Sequence, residues 1–156
     1  MIRAAVLAAA LAGSVADAQQ SCFTRTYSDA HLLTQPQQTV KEMQVVFSGS
    51  ATGPGRLGEF ASVAVRFRGE TTQWTSGLVC FDATRCGVEC DGGTFTVRWK
   101  GADTILLTTG GFIVGLGCDG ENTDEDTRMV IDRGAQETTY LLRRTPVRNC
   151  PSEFFQ

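Results

Sequence analysis

The chain has 156 residues, with 14 Lys and Arg against 17 Asp and Glu, one His, six Cys and 17 Gly. A net charge of −3 excludes a broadly basic nucleic-acid footprint. One histidine and six cysteines suited to pairing leave few of the usual general bases and nucleophiles.

Met1-Ile2-Arg3 carries one positive charge, Ala4 to Ala12 form an apolar run, and Ala16-Asp17-Ala18 makes a small-x-small cleavage pattern. Residues 1–18 therefore read as a secretory signal peptide cut before Gln19, leaving residues 19–156 as a single β domain in the periplasm or outside the cell. A chain of that size buries about 68% of its unfolded surface in one core. The apolar run is too short to span a bilayer, so no membrane span is expected. Ser14 stands where a lipid-bearing cysteine would have to follow Leu11-Ala12-Gly13, so no lipid anchor is expected either.

Ser28 to Gln35 (SDAHLLTQ) predicts one or two helical turns, with Ser28 or Asp29 as N-cap and Pro36 ending the segment. From Lys41 onward the period becomes two. Met43, Val45 and Phe47 alternate with Gln44, Val46 and Ser48, and Ala61, Val63, Val65 and Phe67 alternate with Ser62, Ala64, Arg66 and Arg68, as strands with one buried face require. Further strands are predicted over Thr72 to Phe81, Cys86 to Cys90, Gly93 to Lys100, Thr104 to Thr109, Phe112 to Leu116, Thr127 to Asp132 and Thr138 to Arg144. Gly-rich links such as Asp91-Gly92-Gly93, Gly101-Ala102-Asp103 and Gly110-Gly111 are too short for parallel crossovers, so neighbours should run antiparallel. The fold class is all-β: a small antiparallel meander barrel, or a two-layer sandwich, of about eight strands with one short N-terminal helix.

In an oxidising compartment six cysteines read as three disulfides. On one strand Cys86 and Cys90 would share a face about 13 Å apart, beyond the roughly 7 Å Cα separation a bridge allows. Cys80 can instead face Cys86 across a hairpin turning at Asp82-Ala83-Thr84, Cys22 with Cys150 ties the chain ends, and Cys90 is left for Cys118.

Gly115-Leu116-Gly117-Cys118-Asp119-Gly120 matches G-x-G-x-x-G, but no helix follows to hold a pyrophosphate and the next residues are acidic. Asp119, Glu121, Asp124, Glu125 and Asp126 concentrate negative charge in one loop and leave the rest of the chain mildly basic. A hard cation such as calcium accepts oxygens so placed, with Asp91 joining if Cys90 and Cys118 are bridged. The spacing departs from the EF-hand pattern at Thr123 and Asp124, so a solvated acidic hairpin tip without a cofactor is the expectation and calcium the alternative. His31 is expected to cap or pack the short helix near Tyr27. Trp74, Trp99, Phe67, Phe81 and Phe95 are expected in the core, and Arg66, Arg68, Arg98, Arg143 and Arg144 mainly on outward faces.

CFTRTYSDAHLLTQPQQTV (Cys22 to Val40) together with CGVECDGG (Cys86 to Gly93) resembles a family of uncharacterised exported proteobacterial proteins. They share a C-x-x-R-x-Y-x-x-x-H-L opening and a C-x-x-x-C-D-G-G segment, and the likeness covers nearly all of the mature chain. The resemblance implies a periplasmic or secreted all-β domain and marks Cys22, Arg25, Tyr27, His31, Cys86, Cys90, Asp91, Gly92 and Gly93 as defining positions. It brings no activity with it.

These features lead to a non-catalytic binding or interaction module, with an unknown envelope protein or small ligand as partner. A lipocalin-like carrier of a small apolar ligand is the alternative, although the G-x-W strand signature is absent. A carboxylate-dependent hydrolase using Asp91, Asp119 or Glu89 is a second one.

Overall fold

Strands that bury only one face close their sheet into a barrel when each pairs with both neighbours, because the twist of the sheet brings the two edges together. The computed structural model describes residues 20–49, 52–53, 55–88, 92–115, 129–131 and 137–150. In chain order these form β1 (Ser21–Thr26), α1 (Asp29–Thr34), β2 (Val40–Ser48), β3 (Thr52–Gly53), β4 (Arg56–Leu57), β5 (Phe60–Phe67) and β6 (Gln73–Cys80). There follow β7 (Arg85–Val88), β8 (Gly93–Trp99), β9 (Thr104–Val114), β10 (Met129–Ile131), β11 (Thr138–Thr145) and a 3-10 turn at Val147–Asn149. Strands β1, β2, β5, β6, β7, β8, β9 and β11 pair antiparallel in that order, and β11 returns to β1. The chain is thus a closed barrel of eight strands and not a sandwich. β10 extends the sheet beside the far half of β9, and β3 with β4 forms a separate small ribbon.

Two barrel strands differ from the sequence reading. β1 is a full barrel strand where none was expected. Residues 104–114 form one strand, because Gly110-Gly111 is a bulge and not a turn. Gly93 of β8 faces Phe112 while Phe95 faces Thr109, so β9 holds one residue more than its partner at that point. Gly111 takes φ +122°, and its N–H is received by the Thr109 hydroxyl at 3.0 Å. A side chain thereby replaces the ladder bond that the bulge removes.

The interior is filled by the chain's own side chains. Phe23, Met43, Val63, Phe95, Leu107, Phe112 and Tyr140 are each at most 1% exposed, and burying one such side chain contributes about 1.5–3 kcal/mol. Trp74 and Trp99 pack against this core. Phe81 does not join it. At 58% exposure it lies on the outer face over Gly87, where a Cβ would stand 2.8 Å from the ring.

α1 closes one end of the barrel. Ser28 caps it by accepting the His31 N–H at 3.2 Å, Leu32 enters the core, and Arg68 Nη1 donates to the Leu32 carbonyl at 3.1 Å. Arg144 closes the other end. Its cross-strand partner is Phe23, so it shares the inner face and corrects the expectation of an outward arginine.

Cys22 and Cys150 form one disulfide, with Cα atoms 6.6 Å apart, and join β1 to the residue after the 3-10 turn. Cys80 and Cys86 form a second, between directly opposed residues of β6 and β7 with Cα atoms 3.9 Å apart. Cys90 and Cys118 lie outside the described residues, as do residues 1–19 and the acidic stretch. No helix among the described residues is long and apolar enough to cross a membrane.

Candidate functional site

Three polar residues of the N-terminal motif come together at the helix end. Arg25 and Tyr27 stand two residues apart, and the strand period of two sends their side chains to one side of the chain. Arg25 faces Met43, Met43 faces Val65, and Val65 faces Trp74, so the arginine belongs to an inward layer of otherwise apolar side chains. Its guanidinium carbon lies 5.1 Å from the centre of the Tyr27 ring. The residue is half-buried, and its Nε is enclosed without a hydrogen-bond partner.

Tyr27 continues β1 by one more link, its N–H donating to the Lys41 carbonyl at 2.9 Å. The His31 imidazole stacks on its ring, centroids 4.9 Å apart and planes inclined by 25°, and Tyr140 approaches the same ring edge-on at 6.4 Å.

Gln38 sets the state of the imidazole. Its Nε2 donates to the Val40 carbonyl at 2.8 Å, so its Oε1 is the atom 3.2 Å from His31 Nε2. An amide oxygen only accepts, and His31 Nε2 must therefore carry the proton, leaving Nδ1 as the acceptor of the neutral ring. Lys41 Nζ donates to Asp29 Oδ1 at 2.8 Å beside this cluster. That bond and the ammonium charge hold the Asp29 carboxyl below its ordinary 3.8.

Arg25 differs from the other arginines that bind partners. Arg66 pairs with Glu42, Arg85 with Asp82 and Arg144 with Asp103, and Arg68 donates to a carbonyl. Among the described residues no carboxylate pairs with Arg25. The sequence marked Arg25 and Tyr27 only as motif positions, and their i, i+2 spacing is a usable sign of a shared face. For His31 it also gave the expectation of packing near Tyr27, which the stacked rings bear out.

The remaining candidates separate from this cluster. Asp91, Asp119, Glu121, Asp124, Asp126 and Glu89 lie outside the described residues. Among the described residues no group of three or more His, Cys, Asp or Glu could hold a metal ion. At the opposite end an open groove of about 580 Å³ runs past Ser21, Cys22, Asp103, Arg143, Arg144 and Val147. No protein-family model matches this chain, and no curated protein or solved structure matches it either.

Proposed function

We propose that the protein is an exported, disulfide-stapled β-barrel of the periplasm or extracellular space that acts as a binding module without catalysis. The observation that carries this reading is the interior. It is packed with apolar side chains, and among the described residues its one cation without a counter-charge is a guanidinium. A guanidinium stays protonated at any physiological pH, so Arg25 is suited to recognising a negative group and not to moving protons. The histidine supports the same reading, since its Nε2 is engaged by Gln38 and its ring face by Tyr27. Two disulfides suit an oxidising compartment.

The test is affinity capture from a cell-envelope extract by the oxidised protein, run beside a panel of chromogenic ester, glycoside and phosphate substrates. The expected result is one species retained at fixed stoichiometry and no turnover. Turnover that scales with protein concentration would overturn the reading in favour of a hydrolase. Stoichiometric uptake of a fluorescent fatty acid would overturn it in favour of a lumen carrier.

A further inference from the structure

Resting on the binding-module reading, we propose that Arg25 anchors an oxyanion site at the helix end of the barrel, which takes the carboxylate or phosphate group of a small ligand. The argument begins with an imbalance. A guanidinium drawn into an apolar layer loses several kcal/mol of hydration unless a negative charge meets it. A cation–π contact like that with Tyr27 offsets about 0.5–2 kcal/mol. Met43 and Val65 are apolar and Trp74 Nε1 donates to Glu70 Oε2 at 3.0 Å, but among the described residues no carboxylate forms an ion pair with Arg25.

An apolar residue at position 25 would complete the layer at no such cost. The arginine is therefore explained by what it binds. The positive charge is delocalised over all three nitrogens, so an oxyanion on the two outer nitrogens of the fork offsets the charge of the whole group. The planar fork matches two oxygens of one carboxylate or phosphate, which a lysine ammonium does not. The Tyr27 ring holds the guanidinium, and His31 stacks on that ring. The fork is thus oriented before the ligand arrives, which lowers the ordering cost of binding.

The experiment titrates inorganic phosphate and, separately, benzoate into the oxidised full chain by calorimetry, with sodium chloride as the screening control. The variants are Arg25→Lys, Arg25→Met and, on an exposed outer position, Arg98→Gln. One probe is expected to bind saturably at one site and to raise the melting temperature. Phosphate alone assigns the phosphate class, and benzoate alone the carboxylate class. Arg25→Lys should weaken binding about tenfold or more, Arg25→Met should abolish it, and Arg98→Gln should leave it unchanged. Arg25→Met without ligand should melt no lower than the wild type, because removing an uncompensated charge from an apolar layer offsets the lost ring contact. A purely structural arginine gives the opposite pattern, a lower melting temperature for Arg25→Met and no saturable binding of either probe, and that result overturns the proposal. Binding that survives in Arg25→Met overturns it too. If Arg25→Met still retains the captured envelope species, the oxyanion site falls while the binding module stands.

Discussion

Phe23 and Arg144 face each other across β1 and β11, with the guanidinium carbon 4.9 Å from the centre of the phenylalanine ring. The same guanidinium lies 5.9 Å from the Trp99 ring, donates to Ser21 Oγ at 3.0 Å and reaches the Ala102 carbonyl. It ties β1 and the turn between β8 and β9 to the aromatic core at this end of the barrel. Arg144→Ala should lower unfolding free energy by about 2 kcal/mol, and Arg144→Lys should recover less than half of that, since one ammonium cannot span the four contacts. Asp103 is 79% exposed, so Asp103→Asn should cost under about 0.5 kcal/mol. Urea unfolding of the three variants checks the ordering.

Gly93 and Gly101 share one backbone conformation, φ +89° and +90°, but not one environment. A Cβ on Gly93 would meet the Gly111 carbonyl oxygen at 2.7 Å and Phe112 Cα at 3.1 Å, while nothing lies within 4 Å of one on Gly101. Gly101→Ala should cost about 1 kcal/mol of backbone strain. Gly93→Ala adds a clash against backbone at the bulge and should cost about 3 kcal/mol or more. Thermal melts of the two alanine variants compare them directly, and equal losses would refute the packing argument.

The two described disulfides close loops of very different length, with sequence separations of 128 and 6. On the chain-entropy account the longer loop gives about 5 kcal/mol and the shorter about 2 kcal/mol. The Cys22→Ala, Cys150→Ala double variant should therefore melt well below the Cys80→Ala, Cys86→Ala double variant. Differential scanning calorimetry of both, without reductant, makes the comparison.

Because His31 is the only histidine of the chain, its tautomer can be read without assignment. Long-range proton–nitrogen NMR at pH 8 should show the proton on Nε2. Gln38→Ala removes the acceptor 3.2 Å away and should shift the ring toward a mixture of tautomers. An Nδ1-protonated ring in the wild type would contradict the Gln38 relay.

β2 and β5 were plain in the sequence because Met43, Val45 and Phe47, and Ala61, Val63, Val65 and Phe67, all face the core at every second position. The helix was plain for a different reason: Ser28 caps it and Pro36 follows its last turn. β9 was misread because a glycine pair signals a turn locally, and only the register against β8 reveals a bulge. β1 was missed because its inward positions are Phe23 and Arg25, and an arginine breaks the alternation by which strands are recognised.

Local chemistry was therefore enough for most of the strands, the antiparallel order and the short helix, since side-chain period and turn residues act over a few neighbours. Closure into a barrel depended on β11 meeting β1, a pairing across more than a hundred residues that no local pattern encodes. The contacts among Arg25, Tyr27 and His31 span only six residues, but their place on the inner face depended on β1 pairing with β2 and β11. The cation became a candidate site only when strand pairing set it opposite Met43 on the inner face.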